Sequence, residues 1–218
     1  MQDAQGMIDV PLTSARIRRV YDFYSHFYFL TQPLEKAFRM RGVELAGIKA
    51  QDDVLEVAVG AGYSFLEILR RVAREKTVFG IDLSPRMVGK TRRRAIRNGF
   101  SNFDLREGDA RSLPFPDGRF DVLYNSYMLD LIPLSELPVV VGEFHRVLKD
   151  DGRLVLINLS KKDRSPILYE KLYRFLPSLM GGCRPVLMQR IVEQTGFENV
   201  RREFMHLPLS TEIITATR

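Results

Sequence analysis

From Asp53 onward, short apolar runs alternate with longer stretches in which apolar residues recur every three or four positions. Residues 54–59 form an apolar run closed by Gly60 and Gly62, which predicts a strand and a tight turn. Phe65, Leu66, Leu69 and Val72 then recur at helical spacing. Arg70, Arg71 and Arg74 follow at the carboxyl end, where positive charge suits the helix dipole. Residues 78–81 predict a second strand. Ser84 and Pro85 predict a helix start, because the hydroxyl can cap free N–H groups and proline suits the first helical position. Asn98-Gly99 ends that helix in the manner of a left-handed carboxyl cap. Residues 103–107 and 120–124 read as a third and fourth strand, and 135–149 as a helix. Asp150-Asp151-Gly152 turns into a fifth strand at 153–158. Residues 197–205 and 212–217 read as two strands that can pair as an antiparallel edge.

Alternating strands and helices argue for an α/β fold with a mostly parallel sheet and helices on both faces. With the final pair the sheet has seven strands and an antiparallel C-terminal edge. The expected organisation is a single domain, 1–218. Within it, 14–50 form an N-terminal helical lid rich in Tyr and Phe, 51–159 the core, 160–196 inserted helices interrupted by Pro177 and Gly181-Gly182, and 197–218 the last strands.

A chain of 218 residues suffices for one apolar core. Its hydrophobic fraction of 45% and charged fraction of 28% match ordinary globular proteins. No stretch approaches the roughly 18 consecutive apolar residues of a membrane span. The first ten residues lack the basic start and apolar run of a signal peptide. Cys183 is the sole cysteine, so neither an internal disulfide nor a cysteine metal cluster can form. The expected compartment is the cytoplasm. Lys plus Arg number 33 against 27 Asp plus Glu, a net charge of +6. Arg92, Arg93, Arg94 and Arg97 form one group and Arg16, Arg18 and Arg19 another. Such groups are either a solvated helix face or an attraction for an anionic membrane surface or nucleic acid. Composition does not choose.

The informative stretch is Glu56-Val57-Ala58-Val59-Gly60-Ala61-Gly62, between a strand and a helix. Glycines let the backbone approach a ligand, and the helix amino terminus offers free N–H groups. A plain connection can look the same. Asp82, 26 residues after Glu56, ends the second strand, where an acid can take both ribose hydroxyls. Asp109 ends the third strand and can accept from an exocyclic amine such as that of adenine. Both acids converge on the carboxyl ends of the strands, where open α/β sheets bind ligands. The dinucleotide fingerprint needs a third glycine where Phe65 stands, which opposes NAD. Glu56 suits a positively charged ligand, such as one with a sulfonium and an ammonium group.

At these residues the sequence resembles the class I S-adenosylmethionine-dependent methyltransferases, over about residues 54–159, which implies a Rossmann-like fold and S-adenosyl-L-methionine as cofactor. The resemblance implies that the acid-x-Gly-x-Gly-x-Gly turn, matched by Glu56, Ala58, Gly60 and Gly62, binds the methionine part. Ala58 replaces the first glycine of that pattern. It further implies Asp82 at the ribose, Leu83 and Met87 near the adenine, Asp109 and Ala110 at the adenine amine and ring, and Asn125 and Ser126 closing the site. Residues 113–117, 120–122 and 143–149 are similar to the methyltransferases of quinone biosynthesis and the bacterial phospholipid N-methyltransferases. The run 20–28 resembles their entrance helix and implies Tyr21 and Tyr28 beside the methionine moiety. The same run equally suits a helix packing an aromatic stripe into the core.

His26, Tyr24 and Asp130 are the candidate groups near an acceptor, with Tyr169 as a further pocket liner. Asp130 can steer an amine or simply start a turn before Pro133. His145 reads as structural, His206 as an edge residue and Cys183 as inert, and three scattered histidines make no metal site. Residues 125–128 lack the Pro-Pro-aromatic motif of base amino-methylation. The expected reaction is direct in-line methyl transfer to an O, N or C atom of a small-molecule or lipid acceptor, which needs alignment rather than a nucleophilic residue. The alternatives are an NAD(P)-linked oxidoreductase and a basic module for membranes or nucleic acid, with nucleic acid the less favoured partner. The oligomeric state is not legible.

Overall fold

A computed structural model describes residues 6–9, 32–163, 183–206 and 210–218 of the chain, with side chains of the first helix from Glu35 onward. The elements are α1 (Gln32–Leu45), β1 (Val54–Val57), α2 (Tyr63–Leu69), β2 (Val78–Asp82), α3 (Pro85–Arg97), β3 (Phe103–Glu107), β4 (Phe120–Ser126), a 3-10 turn (Leu129–Leu131), α4 (Leu137–Val147), β5 (Leu148–Leu159), α5 (Gln189–Gln194), β6 (Glu198–Met205) and β7 (Thr211–Thr217). They build one seven-stranded sheet in the order β3-β2-β1-β4-β5-β7-β6. The first five strands run parallel. β7 is antiparallel to both β5 and β6. The expected Rossmann-like seven-stranded architecture is what the chain adopts.

Two apolar layers cover the sheet. On one face Phe38 of α1, Phe65 and Ile68 of α2 and Ala95 of α3 pack with Val122, Tyr124 and Val155. On the other, Val140 and Phe144 of α4 and Ile191 of α5 pack with Leu123, Leu154 and Leu156. The central strands are buried on both sides, as β1 is along its whole length. In the segment expected as a lid, the described helix α1 lays Phe38 and Val43 into this core, with Ala46 just after it. The chain leaves β1 toward β2 and β3, then returns to place β4 on β1's other side. That reversal opens a crevice at the carboxyl ends of β1 and β4.

Several boundaries differ from those expected. β1 ends at Val57 because Ala58 turns to φ 61. α4 starts at Leu137, with Pro138 in its first turn, and ends at Val147, where Leu148 is already extended. The Asp150-Asp151-Gly152 turn lies within β5, as an irregularity rather than a break. Asp151 takes φ 61, and pairing with β4 jumps from Phe120↔Leu148 to Val122↔Arg153. The start of α3 follows local chemistry: Ser84 Oγ accepts from Met87 N–H at 3.3 Å, and Pro85 sits at the first helical position. Gly99, at φ 75, stops it.

Candidate active site

A cavity open on one side to solvent lies at the crevice. Val57, Ala58 and Gly60 supply one side, and Ile81, Asp82, Leu83 and Ser84 the end of β2. Met87 of α3 and Gly108, Asp109 and Ala110 after β3 extend it, and Ser126, Tyr127, Met128, Leu131 and Ile132 close it beyond β4. The walls are mostly apolar, with carboxylates at the ends of two adjacent strands.

The glycine turn is built from left-handed residues at alternate positions: Ala58 (φ 61), Gly60 (φ 54) and Gly62 (φ 79). Gly62 does not line the cavity. A Cβ there would stand 2.8 Å from the Thr91 side chain, whose hydroxyl donates to the Gly60 carbonyl at 2.8 Å. Gly62 is thus required for close approach of the turn to α3. Asp82 fastens the same turn from the other side. One carboxylate oxygen accepts from Gly60 N–H and the other from Ser84 N–H, both at 2.8 Å. The acid therefore faces the cavity in a fixed orientation.

Asp109 also lines the cavity, but its carboxylate is engaged in a way the sequence did not suggest. Arg111 clasps it through Nε at 2.9 Å and through Nη2, and also reaches Glu136 at 3.0 Å. The side-chain bonds from Arg111 hold the Asp109 carboxyl below its usual range. Glu56 does not reach the cavity surface. It is buried beneath the turn, and one of its oxygens has no hydrogen-bond partner among the described residues. Burial pushes its carboxyl well above the ordinary value, the Arg39 guanidinium offsets part of this, and Asp82 adds to it. Asn125 also lies behind the lining, its amide donating to the Val57 carbonyl at 2.8 Å. Ser126 is in the wall. Asp130 is fully buried beside the cavity rather than in it. Tyr21, Tyr24, His26, Tyr28 and Tyr169 lie outside the described residues.

The structure adds residues that sequence reasoning missed. Tyr127 lines the cavity at φ 52, an unusual conformation for a bulky residue. It is fixed by its N–H to the Ile157 carbonyl at 2.7 Å and by a hydroxyl contact with Thr211 at 3.3 Å. Arg39 of α1, almost fully buried, lies 5.6 Å over its ring and pairs with Glu35. No local signal marks either, since both depend on contacts between distant segments. His145 packs edge-on to Phe197 at 5.0 Å, and His206 contacts the Ser210 hydroxyl at 3.0 Å. Phe65, standing where a dinucleotide site needs glycine, is fully buried against Phe103. Among the described residues, no three His, Cys, Asp or Glu side chains gather as they would around a metal.

These features fit an adenosyl compound: carboxylates for hydroxyl and amine donors, a backbone turn open to close approach, and an apolar floor for a purine. A methyltransferase-domain family model matches residues 54–152. The chain is 32% identical over 151 residues to the phosphatidylethanolamine N-methyltransferase of Cereibacter sphaeroides, covering 68% of this chain and 71% of that one. It is also 32% identical over 151 residues to the demethylmenaquinone methyltransferase of Thermus thermophilus, covering 66% and 67%. With the ubiquinone/menaquinone biosynthesis C-methyltransferase of Teredinibacter turnerae it shares 33% identity over 132 residues, 60% of this chain and 51% of the relative. Among solved structures, the [4+2]-cyclase SpnF superposes with a TM-score of 0.75 at 19% identity over 97% of this chain and 98% of its own. A putative methyltransferase of Bacillus halodurans superposes at 0.66 with 18% identity over 82% and 97%; both structures speak to the fold alone. By its family match and relatives, the chain belongs to the class I S-adenosylmethionine-dependent methyltransferases.

Proposed function

We propose that this methyltransferase modifies a lipid-like small molecule, and that each side of the cavity holds one part of the cofactor. Asp82 takes the ribose hydroxyls, Leu83, Met87 and Ala110 flank the adenine, and Asp109 meets its amine with the lone pairs that Arg111 leaves. Glu56 lies under the turn at the methionine end, where a cationic ligand would favour the ionised form that burial opposes, and Asn125 and Ser126 hold the wall opposite. Bound there, the cofactor supplies an electrophilic methyl group on a sulfonium. The protein's own task is then to orient the two partners and exclude water. The observation that carries this is Asp82, fixed by two backbone N–H groups at the cavity edge. Calorimetric titration with S-adenosylmethionine tests it: binding in the wild type and its loss in Asp82→Ala are expected.

The acceptor class is supported by the apolar wall of Met128, Leu131 and Ile132 and by relatives named for phosphatidylethanolamine and demethylmenaquinone. Transfer of labelled methyl into a fractionated lipid and metabolite extract identifies the product. No helix of the described residues is long and apolar enough to cross a membrane. A peripheral encounter with an anionic bilayer is supported by α3. Arg86, Lys90, Arg93 and Arg97 recur four, three and four residues apart, on one side of a helix that holds no acid. Arg93 and Arg97 are exposed. Sedimentation with anionic vesicles should weaken as salt rises, and Arg93→Glu/Arg97→Glu should bind less at low salt with a shallower salt dependence.

A further inference from the structure

Asn158, near the carboxyl end of β5, is fully buried, and neither its amide oxygen nor its amide nitrogen has a hydrogen-bond partner among the described residues. The same is true of both carboxylate oxygens of Asp130 in the 3-10 turn. The sheet register puts Asn158 on the cavity's side. Side chains alternate along a strand, so Asn158 shares a face with Leu156, which packs in one cluster with the cavity residues Val57, Ile81 and Ala110. Asp130 comes to the same strand end. The backbone N–H of Leu159 is near enough to favour its charged form, though no hydrogen bond of normal geometry results. On either side of Asp130, Met128, Leu131 and Ile132 form the cavity wall.

A buried polar group left unpaired destabilises the fold, and native proteins hold few. Two such side chains at one strand end, beside a cavity, are better explained by a ligand's own donors and acceptors than by packing. We propose that Asp130 and Asn158 form the polar end of the acceptor site. They would take an acceptor that presents an ionisable N–H or O–H to the carboxylate and an oxygen beside it to the amide. This rests on the methyl-transfer function and adds the contacts that select the acceptor.

Burial, the dominant effect, raises the Asp130 carboxyl to about 7. Arg184 opposes that rise and Glu35 adds to it, with the Tyr127 hydroxyl also nearby. Only the ionised carboxylate accepts from an N–H or O–H donor with both oxygens. Acceptor binding therefore strengthens as pH rises through about 7.

The test measures methyl transfer from pH 6 to 8.5 with two acceptors, phosphatidylethanolamine in mixed micelles and reduced demethylmenaquinone. Wild type, Asp130→Asn and Asn158→Leu are compared, with cofactor affinity by calorimetry and Tm alongside. The expected result is an acceptor KM raised at least tenfold in both variants, with cofactor Kd within twofold. The wild-type rise in kcat/KM through about pH 7 flattens in Asp130→Asn. Asn158→Leu keeps its Tm or gains about 2–4 °C, because an apolar side chain removes the unmade bonds. Response to one acceptor alone assigns the group bound, amine headgroup or quinol hydroxyl. An unchanged KM in Asp130→Asn overturns the proposal. So does an Asn158→Leu variant that loses Tm while keeping its KM, or a wild type that binds cofactor yet methylates neither acceptor. A wild type that fails to bind the cofactor would instead remove the methyl-transfer function beneath it.

Discussion

At the amino-terminal ends of β1 and β4, Asp53 is held by Lys76 at 2.6 Å, Arg119 at 3.0 Å and Lys149 at 3.3 Å, and Lys149 also reaches Asp121 at 2.8 Å. At the carboxyl ends of β1, β4 and β5, by contrast, Glu56, Asn125 and Asn158 each bury a polar atom with no partner among the described residues, as does Asp130 just beyond. Asp53 and Asp121 at one end titrate in the opposite direction from the buried acids Glu56 and Asp130 at the other, where Asp109 is lowered because Arg111 clasps it. Burial by itself would raise Asp53, but its three cations outweigh it and hold the carboxyl below its usual value. Burial would likewise raise Asp121, and Lys149 wins there too. For Glu56 and Asp130 burial wins instead. Charges at the closed end are saturated by neighbours that water also reaches. Groups at the open end keep unmet bonding capacity at a cost in stability, the usual mark of a site selected for binding.

Four measurements can break or sharpen this contrast. Asp82→Ala should weaken S-adenosylmethionine binding at least 100-fold by calorimetry, about 2.7 kcal/mol; a loss under tenfold would make Asp82 a turn fastener only. Next in size is the pH dependence at Asp130. A folded-state value raised from 3.8 to about 7 gives stability fully present below 3.8 and lost as pH rises through about 7. Wild type should therefore lose of order 2 kcal/mol relative to Asp130→Asn between pH 5 and 8, read by urea unfolding. Asp53→Ala should cost about 1–2 kcal/mol at pH 7 and leave cofactor affinity within twofold. Its carboxyl is depressed, so its contribution is present above 3.8 and is lost as pH falls through the lower folded-state value. The cost of the variant should shrink with it, and a gap that does not narrow as the pH is lowered would point to packing instead. The smallest effect is a gain: Ala58→Gly should relieve the left-handed strain at φ 61 and add about 1 kcal/mol, or about 2–4 °C in Tm.

Much of the cofactor end was legible because its signals are local. Ser84 and Pro85 announce α3, Gly60 and Gly62 announce the bend, and Asp82 and Asp109 fall at strand ends that the apolar runs already mark. Ala58 stands where the pattern has glycine, and only its φ shows that the position takes a left-handed residue. The turn at 150–152 reads as a break in the sequence but lies inside β5, because nothing local says that Leu148 already pairs with Phe120.

The sequence by itself determined the alternation of strands and helices, the antiparallel finish and the family of the cavity, since periodicity, caps and turn chemistry act over a few neighbouring residues. Tertiary structure alone decided that Arg111 occupies Asp109, that Arg39 stands near Glu56, and that Asp130 and Asn158 lie buried with bonds unmade. Whether a polar side chain finds a partner depends on what distant strands and helices bring to it, and no window of sequence contains that information.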